Sequence, residues 1–126
     1  MKLPLLETTE IPSIDVAPDT GKWVVASLLK KSEALGQHFV LAEGWYTVKD
    51  ICEIFSRVTG KTLRLEHLSD SEYTASVGQE MSEAWQLLRD FEYFGPSAKK
   101  RPLEATQFLF DRTTTLEEYL RKSALW

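Results

Sequence analysis

The sequence predicts an α/β fold in which a small sheet of short strands is joined by about five helices. Three observations predict it. Three segments open on matched capping residues, runs of strand length stand between amphipathic stretches, and isolated glycines close several of the helical patterns. The order is strand, helix, strand, helix, strand, then helices, with no repeat and no linker, so residues 1–126 read as a single domain.

Residues 1–14 are extended: Leu3, Leu5, Leu6, Ile11 and Ile14 are apolar, while Pro4 and Pro12 oppose helix. Asp15 is placed to cap a helix running to about Lys31. Asp19 in its first turn and Lys30 and Lys31 in its last turn suit the helix dipole. Gly21, Val24, Val25 and Leu28 form one stripe at helical spacing, and the glycine within it predicts close backbone packing. Gly36 closes the following turn. Gln37 to Glu43 is a nearly continuous apolar run of strand length, predicted to be buried on both faces. Gly44-Trp45-Tyr46 then turns the chain.

Thr47 begins a second helix, with Asp50 three residues on in a near capping-box arrangement. Val48, Ile51, Cys52, Phe55 and Val58 supply its inner face, and Gly60 ends it. Leu63, Leu65 and His67 alternate with polar residues as a half-buried strand does. Ser69 and Glu72 form another capping box, opening a short helix that carries Tyr73 and ends at Gly78. A longer helix follows from about Gln79 to Tyr93, striped by Met81, Ala84, Trp85, Leu88 and Phe91. Gly95 to Pro102 is a loop, and residues 105–110 are a short strand or an irregular apolar stretch. Thr114 or Thr115 caps a final helix with Leu116, Tyr119 and Leu120 inward.

A chain of 14.4 kDa exposes roughly 6,800 Å² when folded, about a third of its unfolded surface, which leaves a real core without disulfides. With 43% apolar and 27% charged residues it is an ordinary globular composition. Net charge is −4, and the densest basic cluster is Lys99-Lys100-Arg101 in a loop, so nucleic acid is not an expected partner. The single cysteine, Cys52, excludes an internal disulfide framework and a cysteine-rich zinc site. No apolar run is of membrane-spanning length and the N-terminus lacks a signal peptide's apolar stretch, so the sequence reads as soluble and cytoplasmic, with no membrane partner.

Glycine spacing bears on cofactors. The closest two, Gly36 and Gly44, are eight residues apart, whereas a dinucleotide fingerprint sets three within six positions. Gly60-Lys61-Thr62 ends as a phosphate loop would, but Phe55 stands where that loop's first glycine belongs. No tyrosine has a lysine four residues on, and no nucleophile elbow or histidine pair at helical ligand spacing is present. No cofactor and no metal is therefore expected. His38 and His67 each read as a core histidine or as a general base. Asp15, Asp50 and Glu72 are accounted for as caps. Glu43 has two readings: an exposed strand end, or a carboxylate desolvated beside aromatics with its pKa raised. Trp45, Tyr46, Trp85, Phe91 and Tyr93, with Met81, suit either core packing or the wall of a pocket for an apolar ligand.

Several segments, taken in order, resemble the C-terminal part of NmrA-like proteins. They are Ile14-Asp15-Val16, Asp19-Thr20-Gly21 and the helix after it, Phe39 to Glu43, Trp45-Tyr46-Thr47, Phe55 to Lys61, and Phe91 to Pro96. The Thr-capped last helix completes the set, and the resemblance runs from about residue 11 to 122. Members of that family are atypical relatives of the short-chain dehydrogenases. The resemblance implies a Rossmann lobe that binds NADP, followed by a smaller lobe that completes a pocket for substrate or partner; only the smaller lobe has a counterpart here. It also implies an exposed apolar face, hence a homodimer or a protein partner. The function expected is a ligand-binding lobe acting as a redox-neutral isomerase, dehydratase or cyclase on an apolar metabolite. A setting in fungal specialised metabolism comes only from the resemblance. Glu43 and His38 are the expected acid–base residues, and Trp45, Tyr46, Trp85, Tyr93, Met81 and Phe91 shape the cavity. The alternatives are a non-catalytic regulatory module and a truncated NADP-dependent reductase.

Overall fold

A computed structural model describes residues 1–93, 95 and 106–123. The elements are β1 (Lys2–Leu3), β2 (Glu10–Ser13), α1 (Val16–Leu29), α2 (Lys31–Ala34), β3 (Gly44–Thr47), α3 (Val48–Thr59), β4 (Glu66–His67), α4 (Asp70–Val77), α5 (Gln79–Phe91) and α6 (Leu116–Lys122). The α/β class stands, but the strands form two separate pairs. β1 and β4 are parallel, with Lys2 opposite Glu66, while β2 and β3 are antiparallel, with Glu10 opposite Thr47 and Ser13 opposite Gly44. Gly44-Trp45-Tyr46 is therefore a strand and not a turn.

Both expected capping boxes form, and Thr115, of the two candidate caps for the last helix, closes a third. The Thr47, Ser69 and Thr115 hydroxyls accept from the N–H groups of Asp50, Glu72 and Glu118, whose carboxylates return a bond to each cap's N–H. This satisfies donors that a helix start otherwise leaves unpaired. Gly60 ends α3 in the left-handed region at φ 72°, which a side chain rarely tolerates. Asp15, in contrast, precedes α1 without a side-chain capping bond.

The main core joins Leu3, Leu5, Val48, Tyr73 and Leu88, with Ile11, Cys52, Leu65, Leu68 and Trp85 packed around them. A second packed region lies under α1, where Trp23 and Ala26 are buried and Phe39 stacks between the rings of Trp23 and Phe108.

One sequence expectation inverts and a second holds only in part. The stripe Gly21, Val24, Val25 and Leu28 faces outward, since α1 buries Asp19, Trp23 and Ala26 on the opposite side. A Cβ at Gly21 would meet nothing within 4 Å, so the expected close backbone packing is absent. On α5 the expected stripe holds in part: Leu88 is buried and Trp85 packs against the core, while Met81, Ala84 and Phe91 are exposed and Ser82 is buried. Periodicity identifies a stripe but not the neighbour it faces, and both helices carry a competing inner face. Tyr119 on α6 is also exposed rather than inward.

Gln37 to Glu43 is not a strand. Val40 and Ala42 are buried, yet among the described residues the backbone groups of residues 38–42 make no backbone–backbone hydrogen bond; the Gln37 N–H turns back to the Ala34 carbonyl at 3.0 Å, and the Glu43 N–H reaches the Ser13 carbonyl at 2.7 Å. A strand needs a ladder partner, and none lies alongside among the described residues. The expected strand at Leu63–His67 shortens to Glu66–His67, with His67 exposed. The Gly95–Pro102 loop, the basic cluster within it and Phe94 lie outside the described residues, Gly95 excepted.

Candidate functional site

β3 carries the site because successive residues on a strand point to opposite faces. Trp45 goes one way, into a cleft of about 220 Å³ with Leu6, Thr9, Glu10, Leu88, Arg89 and Glu92. Tyr46 goes the other way, donating its hydroxyl proton to Glu43 Oε2 at 2.7 Å. The Leu116 N–H, in the first turn of α6, reaches the same hydroxyl oxygen at 3.5 Å. Glu43 and Tyr46 thus lie where the β2–β3 pair meets the last helix.

Burial pushes the Glu43 carboxyl above the ordinary glutamate value; the Tyr46 bond opposes this, and the negative charges of Asp19 and Glu118 add to it. Burial and the bond to Glu43 raise the Tyr46 phenol to about 12, so it remains a donor at neutral pH.

The two neighbouring carboxylates are held differently. Asp19 is fully buried: it accepts from the Thr114 N–H at 2.8 Å, from the Thr114 hydroxyl at 3.2 Å and from Lys22 Nζ at 2.8 Å. Burial raises its pKa, but the Lys22 and Thr114 bonds outweigh that and leave it lowered. Lys22 Nζ also bonds the Arg112 carbonyl at 2.7 Å. Glu118 takes two bonds from the Arg112 guanidinium and is held at about 2 by that cation and by Thr115. Asp19 and Glu118 are thereby fixed as anions against cations, whereas the bond to Glu43 comes from a neutral hydroxyl. Of the three carboxylates, Glu43 is the one whose pKa is raised rather than lowered.

The other expected site residues are not gathered around it. His38 is exposed, and among the described residues no hydrogen bond joins it to Glu43. Trp85 packs on the core, and Met81, Phe91 and Tyr93 lie at the surface, 51%, 66% and 59% exposed. Four surface clefts of about 220, 510, 300 and 310 Å³ have neither Glu43 nor His38 in their walls. His67 Nδ1 lies 3.0 Å from the Leu5 carbonyl, a structural contact. Sequence reasoning gave no role at the site to Lys22, Arg112 or Glu118, weighed Thr114 only as a helix cap, and used Asp19 only for the helix dipole and the family resemblance. The Asp19–Thr114 contact spans 95 residues, so no local spacing signals it.

Among the described residues no group of three or more His, Cys, Asp or Glu side chains is placed to hold a metal ion, and no helix is long and apolar enough to cross a membrane.

Residues 1–120 match the model of the NmrA-like family. Among solved structures, a nucleoside-diphosphate-sugar epimerase from Staphylococcus aureus is similar at 20% identity and a TM-score of 0.66. The likeness covers 95% of this chain and 43% of that one, so the chain spans less than half the length of that protein. No curated protein matches the chain.

Proposed function

The chain belongs to the NmrA-like family, and we propose that it serves as a ligand-binding lobe in which Glu43 is the proton-transfer group of a redox-neutral step on an apolar metabolite. The carrying observation is the Glu43–Tyr46 bond at 2.7 Å on a carboxyl whose pKa burial has raised. Burial makes this carboxylate a stronger base than an exposed one, the Tyr46 bond offsetting part of the gain, and its conjugate acid survives to a higher pH. It would accept a proton from a carbon beside the metabolite's carbonyl, the electron pair delocalising onto that carbonyl oxygen. Returning the proton at a second carbon completes an isomerisation with no oxidant or reductant. Tyr46 would position the carboxylate through its hydrogen bond. At 20% identity the likeness to the epimerase supports the fold and not its substrate.

Deuterium wash-in tests this reading. Small apolar ketones are incubated with the protein in D₂O, and exchange at the carbon beside the carbonyl is followed by NMR. The wild type should accelerate exchange, and Glu43→Gln should lose on the order of a hundredfold or more, as expected for removal of a general base, with its circular dichroism unchanged. Equal exchange in both proteins, or none in the wild type, contradicts it.

A second reading, a protein-docking module, is favoured by the outward face of α1. Val24, Val25, Leu28 and Leu29 stay half or more exposed there while the inward face is already filled.

A further inference from the structure

We propose that the outward face of α1 is the seat of a second copy of this chain, with the two α1 helices packed antiparallel across a twofold axis near Val24 and Val25. The inference rests on the docking reading of that face and does not depend on the chemistry of Glu43.

At 100° per residue, Ala17, Gly21, Val24, Val25 and Leu28 fall on one side of the helix, with Leu29 at its margin. Position 22, a lysine, lies at the far edge, and no carboxylate of α1 itself stands on this side; Asp111, in the wall of the adjoining cleft, has Lys22 in the same wall. The side is also shaped to receive itself. Gly21 leaves an open notch, since a Cβ there would touch nothing within 4 Å. Beside it is a cleft of about 310 Å³ lined by Gly21, Lys22, Val25, Phe110 and Asp111. Leu28, two turns further on, projects with 72% of its surface exposed.

In an antiparallel pair, residues equidistant from the axis meet. An axis between positions 24 and 25 sets Val24 against the partner's Val25 and Leu28 against the partner's Gly21. Each copy's leucine then enters the other's notch, and knob and notch come from the same helix, as a twofold interface requires. The remaining exposure of Val24, Val25, Leu28 and Leu29 is roughly 450 Å², a little over half of the about 800 Å² per partner of a standard interface. An unrelated partner would require no knob matched to this chain's own notch.

Sedimentation velocity of the full chain, from a few to a hundred micromolar, tests the proposal. The wild type should shift from a 14.4 kDa species to twice that mass. Leu28→Glu should stay a monomer throughout. Gly21→Leu, which fills the notch at a helical position with open space, should also stay a monomer without a lower melting temperature. Glu43→Gln should dimerise as the wild type does. Mixing Gly21→Cys with Leu28→Cys under mild oxidation should give the mixed disulfide in preference to either homodimer. A wild type that stays monomeric overturns the proposal, and if deuterium wash-in persists in that monomer the Glu43 reading survives alone. A dimer that persists in both Leu28→Glu and Gly21→Leu overturns the proposed seat, and homodisulfides alone overturn the register.

Discussion

Replacing Asp19 with alanine removes the acceptor that ties α1 to the segment entering α6. The Thr114 N–H, bonded to Asp19 Oδ2 at 2.8 Å in a buried setting, loses its partner, as does the Thr114 hydroxyl. Lys22 loses one bond but keeps the Arg112 carbonyl, and its side chain is 29% exposed, so water compensates part of its loss. Breaking a fully buried pair costs about 3–5 kcal/mol, and stranding a buried donor about 1–3 kcal/mol. With Lys22 partly solvated, the loss should be about 3 kcal/mol. For a chain of this length that lowers the melting temperature by about 10 °C. Urea and thermal unfolding followed by circular dichroism measure both quantities. Asp19→Asn keeps one oxygen acceptor and should lose about half as much. A loss under about 1 kcal/mol for Asp19→Ala, or an Asn variant worse than the Ala variant, would refute the anchoring role.

Three further outcomes are expected. Thr47→Ala should cost about 1 kcal/mol in urea unfolding, because the Asp50 N–H loses its acceptor and the Asp50 carboxylate loses a donor; an unchanged midpoint contradicts the cap. Hydrogen exchange should find the amides of His38 to Leu41 exchanging faster than those of α3, despite their β-forming sequence, because no ladder protects them. Glu118 is lowered from 4.5 to about 2 in the folded chain by Arg112 and Thr115. Its contribution to stability is complete above pH 4.5 and is lost as pH falls through about 2, so acid unfolding should be less steep in Glu118→Gln; identical acid profiles contradict it.

What the sequence shows and what it conceals divide along contact range. The boxes at Thr47, Ser69 and Thr115 are legible because each is closed within four residues, and the structure forms them all. Glu43 and Tyr46 are three residues apart, and the raised carboxyl beside an aromatic is one of the two readings their spacing allows. Residues 37–43 mislead because strand-like composition supplies side chains and not a ladder. The outward stripe on α1 misleads because Trp23 and Ala26 offer a second apolar face, and only tertiary contacts with Phe39 and Phe108 decide between them. Asp19 is hidden by distance along the chain. Trp85, Met81, Phe91 and Tyr93 are dispersed because α5 turns Ser82 and Leu88 inward, a rotation set by the bond from the Thr74 hydroxyl to Ser82 Oγ at 2.7 Å and by the Leu88 core contact.

One titration tests the protonation of Glu43 directly. Carboxyl carbon chemical shifts of Glu43 across pH, in the wild type and in Tyr46→Phe, should place its midpoint above the ordinary glutamate value of 4.5. The midpoint should rise further in the variant, because the Tyr46 bond stabilises the charged form. A wild-type midpoint at or below 4.5, or one that Tyr46→Phe leaves in place, contradicts the site as described.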